Sequence, residues 1–183
     1  MTMRKGLQVV AGITLAVSIG AGIVAGGIYA AGGRFNTSKS LELGLYWITD
    51  APITKGAYVM FCPPERKVFV DARERGYIDA GFCPGNFGHL MKRILAAKDD
   101  IIAVTPQGVT VNGEILPYSQ PVATDGIGRP LPQRSTERYT LGASELLLMS
   151  DSSPTSFDGR YFGPITRGQV TAVIRPVLTW KGE

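Results

Sequence analysis

The stretch Leu90–Ala96 (LMKRILA) decides how this sequence is interpreted. It is mostly apolar and has the length of a buried strand, so it predicts a β-strand. Because side chains alternate along a strand, Lys92 shares a face with Leu90 and Ile94, and Arg93 points the other way. A lysine on an apolar face either extends its ammonium group into water or loses hydration, which lowers its pKa.

Other apolar segments flank this stretch, and most are short enough to be strands. The predicted strands are 43–48, 57–61, 101–104, 145–149 and 170–178, with a hairpin over 109–116. Asn112-Gly113 lies in the middle of that hairpin and favours the positive φ angles of a type I′ turn. Residues 63–88 are irregular apart from a short helix around 71–75, and residues 117–139 form a long surface excursion. The sequence predicts a mainly β domain.

Residues 6–33 carry no charged side chain and exceed the roughly 20 residues that a helix needs to cross a bilayer. Arg4 and Lys5 precede this segment and favour a cytoplasmic N-terminus. We therefore predict a cytoplasmic tip and single transmembrane anchor over 1–33, and one domain over 34–183 on the far side of the membrane; in a Gram-negative bacterium these are the inner membrane and the periplasm. A cleavable signal peptide is the alternative, and it also exports the domain.

The two cysteines, Cys62 and Cys83, are each followed by proline. An even pair in an exported domain suggests a disulfide, and two free buried thiols are the alternative. Two isolated cysteines with one histidine make a poor zinc site, so we predict no metal and no cofactor.

The charge balance gives no indication of a nucleic-acid-binding surface. The formal net charge is +4, and two of the basic residues, Arg4 and Lys5, precede the apolar segment. The remaining charged residues are typical of an ordinary solvated surface, so we predict no nucleic-acid partner.

Two residue types in this chain could act together as nucleophile and base. A serine hydroxyl needs a base to take its proton, and Ser40 lies shortly after the apolar segment. A buried, neutral Lys92 could act as that base. The single histidine, His89, is a weaker candidate, because a lone histidine more often makes ordinary surface or hydrogen-bonding contacts.

These residues resemble the signal peptidase family that uses a Ser–Lys dyad, and most closely its TraF-type conjugative transfer branch. The motifs that carry the resemblance follow the family's order: Asn36–Ser40 with Gly44–Trp47, Lys55–Val59, Met91–Arg93, Val111–Gly113 and Ser156–Gly163. The segments around Cys62 and Cys83 also look like this branch.

The resemblance implies a role for each matching residue. Ser40 matches the nucleophile and Lys92 the general base. Ser38 matches a residue whose hydroxyl helps to stabilise the oxyanion, and Ser156 one that orients the lysine. Asp158 and Arg160 match a bracing pair; Asp158 has either a direct catalytic part or a purely structural one.

The implied function is a membrane-anchored serine endopeptidase that matures pilin precursor for plasmid transfer, by cleavage alone or with head-to-tail cyclisation. Its implied partners are a membrane-presented peptide, the membrane and other transfer proteins. Glu42 stands in a region where the family often has proline. Residues 95–99 lack the Gly-x-Pro-Gly-Asp run of housekeeping signal peptidases, and this difference favours the specialised branch. The alternatives are general processing of exported proteins and a non-catalytic envelope subunit.

Overall fold

The computed structural model describes residues 2–181, and the chain divides into two units, 1–34 and 35–183. The first unit contains helix α1 (Thr2–Ala30). Its apolar part, Gly6–Ala30, has a mean hydropathy of 2.1 and is long enough to span a membrane. The predicted N-terminal helix is therefore present; its length and composition suit a membrane span, and a signal sequence has the same features.

The rest of the described chain is mainly β-structure, as the sequence predicts. The strands are β1 (Gly33–Asn36), β2 (Leu43–Thr49), β3 (Tyr58–Phe61), β4 (Ala80–Cys83), β5 (Leu90–Ala96), β6 (Ile101–Thr105), β7 (Gly108–Val111), β8 (Glu114–Ile115), β9 (Thr136–Thr140), β10 (Glu145–Met149), β11 (Ile165–Thr166) and β12 (Val170–Trp180). Two short helices, α2 (Lys67–Glu74) and α3 (Gly159–Phe162), lie between them.

Seven strands form the larger sheet, in the order β1-β2-β12-β3-β5-β10-β11. Strand β5 lies near its middle, antiparallel to both β3 and β10. Lys92 stands opposite Val59, and Ile94 opposite Leu148. A strand with partners on both sides has little exposed backbone, so this position holds the lysine-bearing strand firmly.

The smaller sheet has the order β8-β7-β6-β9 and includes the predicted hairpin. Asn112 has a φ of 52° and Gly113 a φ of 88°. Both values lie in the left-handed region that a type I′ turn requires, as the Asn-Gly pair predicts.

An apolar core lies between the larger sheet and helices α2 and α3. Its buried members include Phe61, Phe69, Ile94, Leu148 and Phe162. The disulfide suggested by the sequence joins Cys62 to Cys83 at the edge of this core and closes the segment that contains α2. The two free thiols considered as the alternative are therefore not found.

The structure differs from the sequence interpretation mainly inside 63–88 and 117–139. Helix α2 begins at Lys67, four residues before the predicted start, because its apolar Phe69 and Ala72 face the core. Strand β4 carries the exposed side chain of Phe82 and lacks the apolar alternation that would indicate a strand. The excursion ends in β9, most of which is exposed.

Candidate active site

A cleft of about 480 Å³ lies on the domain formed by residues 35–183, between the segment after β1 and the middle of β5. Ser38, Ser40, Lys92 and Ser156 all line it. Four of the residues implied by the family resemblance therefore meet in one cavity, although they come from three distant parts of the sequence.

Lys92 is almost fully buried, with only 1% of the residue exposed. It lies on the same face of β5 as the buried Ile94 and Ala96, and Arg93 on the opposite face pairs with Asp151 at 2.6 Å. Burial lowers the pKa of Lys92 to about 8; the charge of Asp158 acts against this shift, and that of Arg160 adds to it. About a tenth of such an amine is neutral at pH 7, far more than for an ordinary lysine, which gives it the property that a general base needs.

The Ser40 hydroxyl is in direct contact with the Ser156 hydroxyl. The Ser156 Oγ donates a hydrogen bond to the Ser40 Oγ at 3.2 Å, and Ser156 is buried. The resemblance implied that Ser156 orients the lysine, whereas the hydrogen bond found for its hydroxyl goes to Ser40. Ser156 is thus placed to fix the oxygen of the candidate nucleophile.

Asp158 and Arg160 form a fully buried ion pair beside this contact. Asp158 Oδ1 accepts from Arg160 Nε at 2.8 Å, and Oδ2 accepts from Nη2 at 2.9 Å. Asp158 Oδ2 also accepts from the backbone N–H of Ser150, which closes the loop that carries Ser156. Because both carboxylate oxygens of Asp158 already accept hydrogen bonds, this residue is suited to holding the site together.

Arg160 also connects this loop to the long excursion. Its Nη1 donates to the carbonyls of Pro154 at 2.8 Å and Gln120 at 3.1 Å. Further along the excursion, Asp125 lines the cleft and accepts a hydrogen bond from the Tyr77 hydroxyl. The excursion therefore forms one wall of the cleft, a function that its proline-rich sequence did not indicate.

Asn36, the last residue of β1, organises the segment that carries both serines. Its Oδ1 accepts from the Ser38 backbone N–H at 3.2 Å and from the Ser38 Oγ at 3.0 Å. Its Nδ2 donates to the carbonyls of Ser38, Leu41 and Glu42 at 2.9, 3.1 and 3.0 Å. The sequence interpretation included this residue in the Asn36–Ser40 motif but gave it no role.

His89 also lines the cleft. One of its nitrogens and the sulfurs of Cys62 and Cys83 lie within 4.8 Å of one another. The sulfurs are joined in a disulfide and cannot act as thiolate ligands, so this group does not make a metal site.

Comparison with known proteins adds to this geometry. The chain matches the family model for signal peptidase, peptidase S26, over residues 6–180. A plasmid transfer protein TraF of Escherichia coli is 60% identical over 173 residues, which cover 94% of this chain and 97% of that protein. A probable conjugal transfer protein TraF of Sinorhizobium fredii is 32% identical over 181 residues, covering 97% and 93%.

Among solved structures, signal peptidase I of Enterococcus faecalis V583 aligns with a TM-score of 0.39 and 16% identity. The alignment covers 68% of this chain and 98% of that one.

Proposed function

Since this chain belongs to the signal peptidase family, peptidase S26, with the TraF transfer proteins among its relatives, we propose that it is a serine endopeptidase with a Ser40–Lys92 dyad. One observation carries the proposal: a buried lysine with a pKa of about 8 lines the same cleft as a serine hydroxyl fixed by a second serine. A lysine with its ordinary pKa would be almost fully protonated at neutral pH and a poor base.

In the proposed reaction, the Ser40 Oγ attacks the scissile carbonyl carbon while neutral Lys92 takes the hydroxyl proton. The carbonyl oxygen becomes an oxyanion, which the backbone N–H of Ser40 and the Ser38 hydroxyl stabilise. The C–N bond then breaks, the protonated Lys92 returns its proton to the leaving amine, and an acyl-enzyme remains. Asp158 and Arg160 brace the loop that carries Ser156 throughout.

The acyl-enzyme can be released in two ways. Attack by water gives a linear product, whereas attack by the substrate's own N-terminal amine gives a cyclic one. The relatives named as conjugal or plasmid transfer proteins support a substrate from a transfer system. We therefore propose pilin precursor as the substrate, with other transfer proteins as partners.

The proposed location follows from the N-terminal helix. Residues 1–33 would anchor the protein in the bacterial inner membrane, and residues 34–183 would act in the periplasm. The basic pair Arg4-Lys5 ahead of an apolar segment supports this orientation. Confinement to the membrane would raise the effective concentration of a membrane-embedded substrate.

The proposal is tested with Ser40→Ala and Lys92→Ala, each made in the full-length chain and co-expressed with a conjugative pilin precursor. We expect processing to fall by at least about 10³-fold in each variant, because either change removes one member of a dyad. Intact mass spectrometry of the pilin is the measurement. A product lighter than the linear cut pilin by one water molecule would identify cyclisation.

Matched controls separate loss of chemistry from loss of structure. Ser144 and Lys98 are exposed and lie outside the cleft. Ser144→Ala and Lys98→Ala should therefore process pilin at the wild-type rate. Normal processing by Lys92→Ala would exclude the dyad, and processing by both site variants would favour a non-catalytic role in transfer.

A further inference from the structure

We propose that Asn36 is a positioning residue for catalysis, which sets the shape of the segment 37–42 and holds the Ser38 hydroxyl ready to act on the oxyanion. This inference rests on the proposed function, since it assigns the residue that prepares the nucleophile segment. The evidence is the set of five hydrogen bonds that a single, nearly buried side chain makes to this segment.

The donor side of Asn36 fixes the backbone on both sides of the nucleophile. Its amide nitrogen reaches the carbonyl of Ser38, two residues before Ser40, and those of Leu41 and Glu42, just after it. An amide has two N–H groups, so at least one of them is shared between two of these carbonyls. The chain must curve around the Asn36 side chain for this to occur, and Ser40 lies in that curve.

The acceptor side of Asn36 controls the Ser38 hydroxyl. The Ser38 Oγ lies 3.0 Å from Asn36 Oδ1, and the Ser38 backbone N–H donates to the same oxygen. A hydroxyl has a single hydrogen, so the Ser38 hydrogen directed at Asn36 must turn away before it can stabilise an oxyanion. The bond from the Ser38 backbone N–H to Asn36 Oδ1 persists when the hydroxyl turns, so Asn36 still holds the residue in place while its hydrogen moves to the developing negative charge.

Asparagine suits this position because it combines an acceptor and two donors without carrying charge. Asn36 is only 6% exposed. An aspartate would keep the acceptor oxygens but would place negative charge against three carbonyl oxygens. Alanine would remove the Asn36 donor from all three carbonyls, and the Glu42 carbonyl would keep its bond from the Tyr46 hydroxyl. A residue needed only to end β1 would not require both functions.

The experiment measures kcat and KM for processing of purified pilin precursor in detergent micelles, with full-length Asn36→Ala, Ser38→Ala and the double variant. Each single change should lower kcat by about 10²-fold, the typical loss for an oxyanion donor, and change KM by less than about threefold. Because both residues act through one hydroxyl and one segment, the double variant should lose no more than about 10³-fold. A loss equal to the product of the two single losses would overturn the inference, as would an unchanged kcat in Asn36→Ala.

Two further variants keep the test decisive. Asn36→Asp has almost the same shape and should lose at least as much kcat as Asn36→Ala; wild-type kcat there would show that the donor bonds are not needed. Gln107→Ala removes an exposed amide on another turn and should retain wild-type kcat. Thermal unfolding monitors each fold, and Asn36→Ser replaces Asn36→Ala in the cycle if the latter does not fold.

The two proposals fail in distinguishable ways. If Ser40→Ala still processes pilin, the peptidase assignment fails whatever the Asn36 variants do. If Ser40→Ala is inactive while the Asn36 variants keep wild-type kcat, only the positioning role of Asn36 is lost.

Discussion

At the scale of single residues, the environment of Lys92 is the feature with the clearest chemical meaning. Burying a cation is costly, and a protein that only needed to fill this position would gain stability from an apolar side chain. The lysine is nevertheless buried on the core face of β5, beside a buried carboxylate–guanidinium pair that is neutral overall. Such an arrangement keeps the pKa of the amine low, and it supports a functional reason for the burial of Lys92.

The first prediction concerns pH. Because burial lowers the pKa of Lys92 to about 8 and only the neutral amine can accept a proton, processing should increase with pH and level off above about pH 8 to 9. Below that point the rate should fall about tenfold per pH unit, since each unit lowers the neutral fraction tenfold. Single-turnover processing of pilin precursor between pH 6 and 10 measures this profile.

The matching stability control is unfolding of the same protein over the same pH range. If the rate follows the folded fraction, unfolding explains the profile. If the rate keeps rising to pH 10 without levelling off, Lys92 has the pKa of an ordinary lysine.

The candidate site illustrates what could be predicted residue by residue. Alternation along Leu90–Ala96 correctly predicted the buried face of Lys92, because side-chain direction on a strand is a local property. Asn36 could not be identified in the same way: its partners are set by how the chain curves after β1, which no local pattern encodes. The bond between Ser156 and Ser40 likewise depends on two loops distant in sequence.

At the scale of elements, the pairing of β2 with β12 lies directly after the segment that carries Ser40, the candidate nucleophile. Gly44 lies at the start of β2 with a φ of 137°, and a Cβ there would lie 2.1 Å from the Leu178 carbonyl oxygen. The ladder shifts register close to this point, between Pro176 and Leu178. Only glycine allows the two backbones to approach this closely four residues after Ser40.

The second prediction is that Gly44→Ala lowers the free energy of unfolding by about 3 kcal/mol, because the clash is with backbone and cannot be relieved by a side-chain rotation. Chemical denaturation of the full-length protein measures the change. Gly113→Ala is the matched control: its φ of 88° is also positive, but a Cβ there meets nothing within 4 Å. It should cost only about 1 kcal/mol. Equal costs for the two variants would contradict the argument.

Elements with a strong local signal could be predicted, and those held by tertiary contacts could not. Strands β5 and β10 have the predicted bounds, and the Asn112-Gly113 turn has the expected geometry. Strands β1, β4 and β11 contain two to four residues each, too few for a periodic pattern, and exist because neighbouring strands pair with them. The fold class was confirmed because it depends on the longer strands.

At the scale of the whole molecule, the chain combines an apolar helix with a domain that has its own core and disulfide. The third prediction is that deletion of residues 1–32 leaves a domain that folds, since the sheets and apolar cores lie in residues 33–183. Circular dichroism and the mass of the oxidised protein test this.

The same deletion should separate the two parts of the proposed function. Cleavage of a soluble peptide that spans the pilin processing site should change less than about threefold, whereas processing of precursor in lipid vesicles should fall by about 10²-fold. Equal losses on both substrates would mean that the helix contributes to the site itself and not to meeting the substrate.

The integrity of the larger sheet depends on one strand inside it. Strand β12 lies between β2 and β3, so it joins the side of the sheet next to Ser40 to the side that holds Lys92. Loss of β12 would leave β1-β2 and β3-β5-β10-β11 as two sheet fragments with newly exposed edges. Damage confined to residues 170–180 should therefore separate the strand beside Ser40 from the strand that carries Lys92, although it touches neither residue.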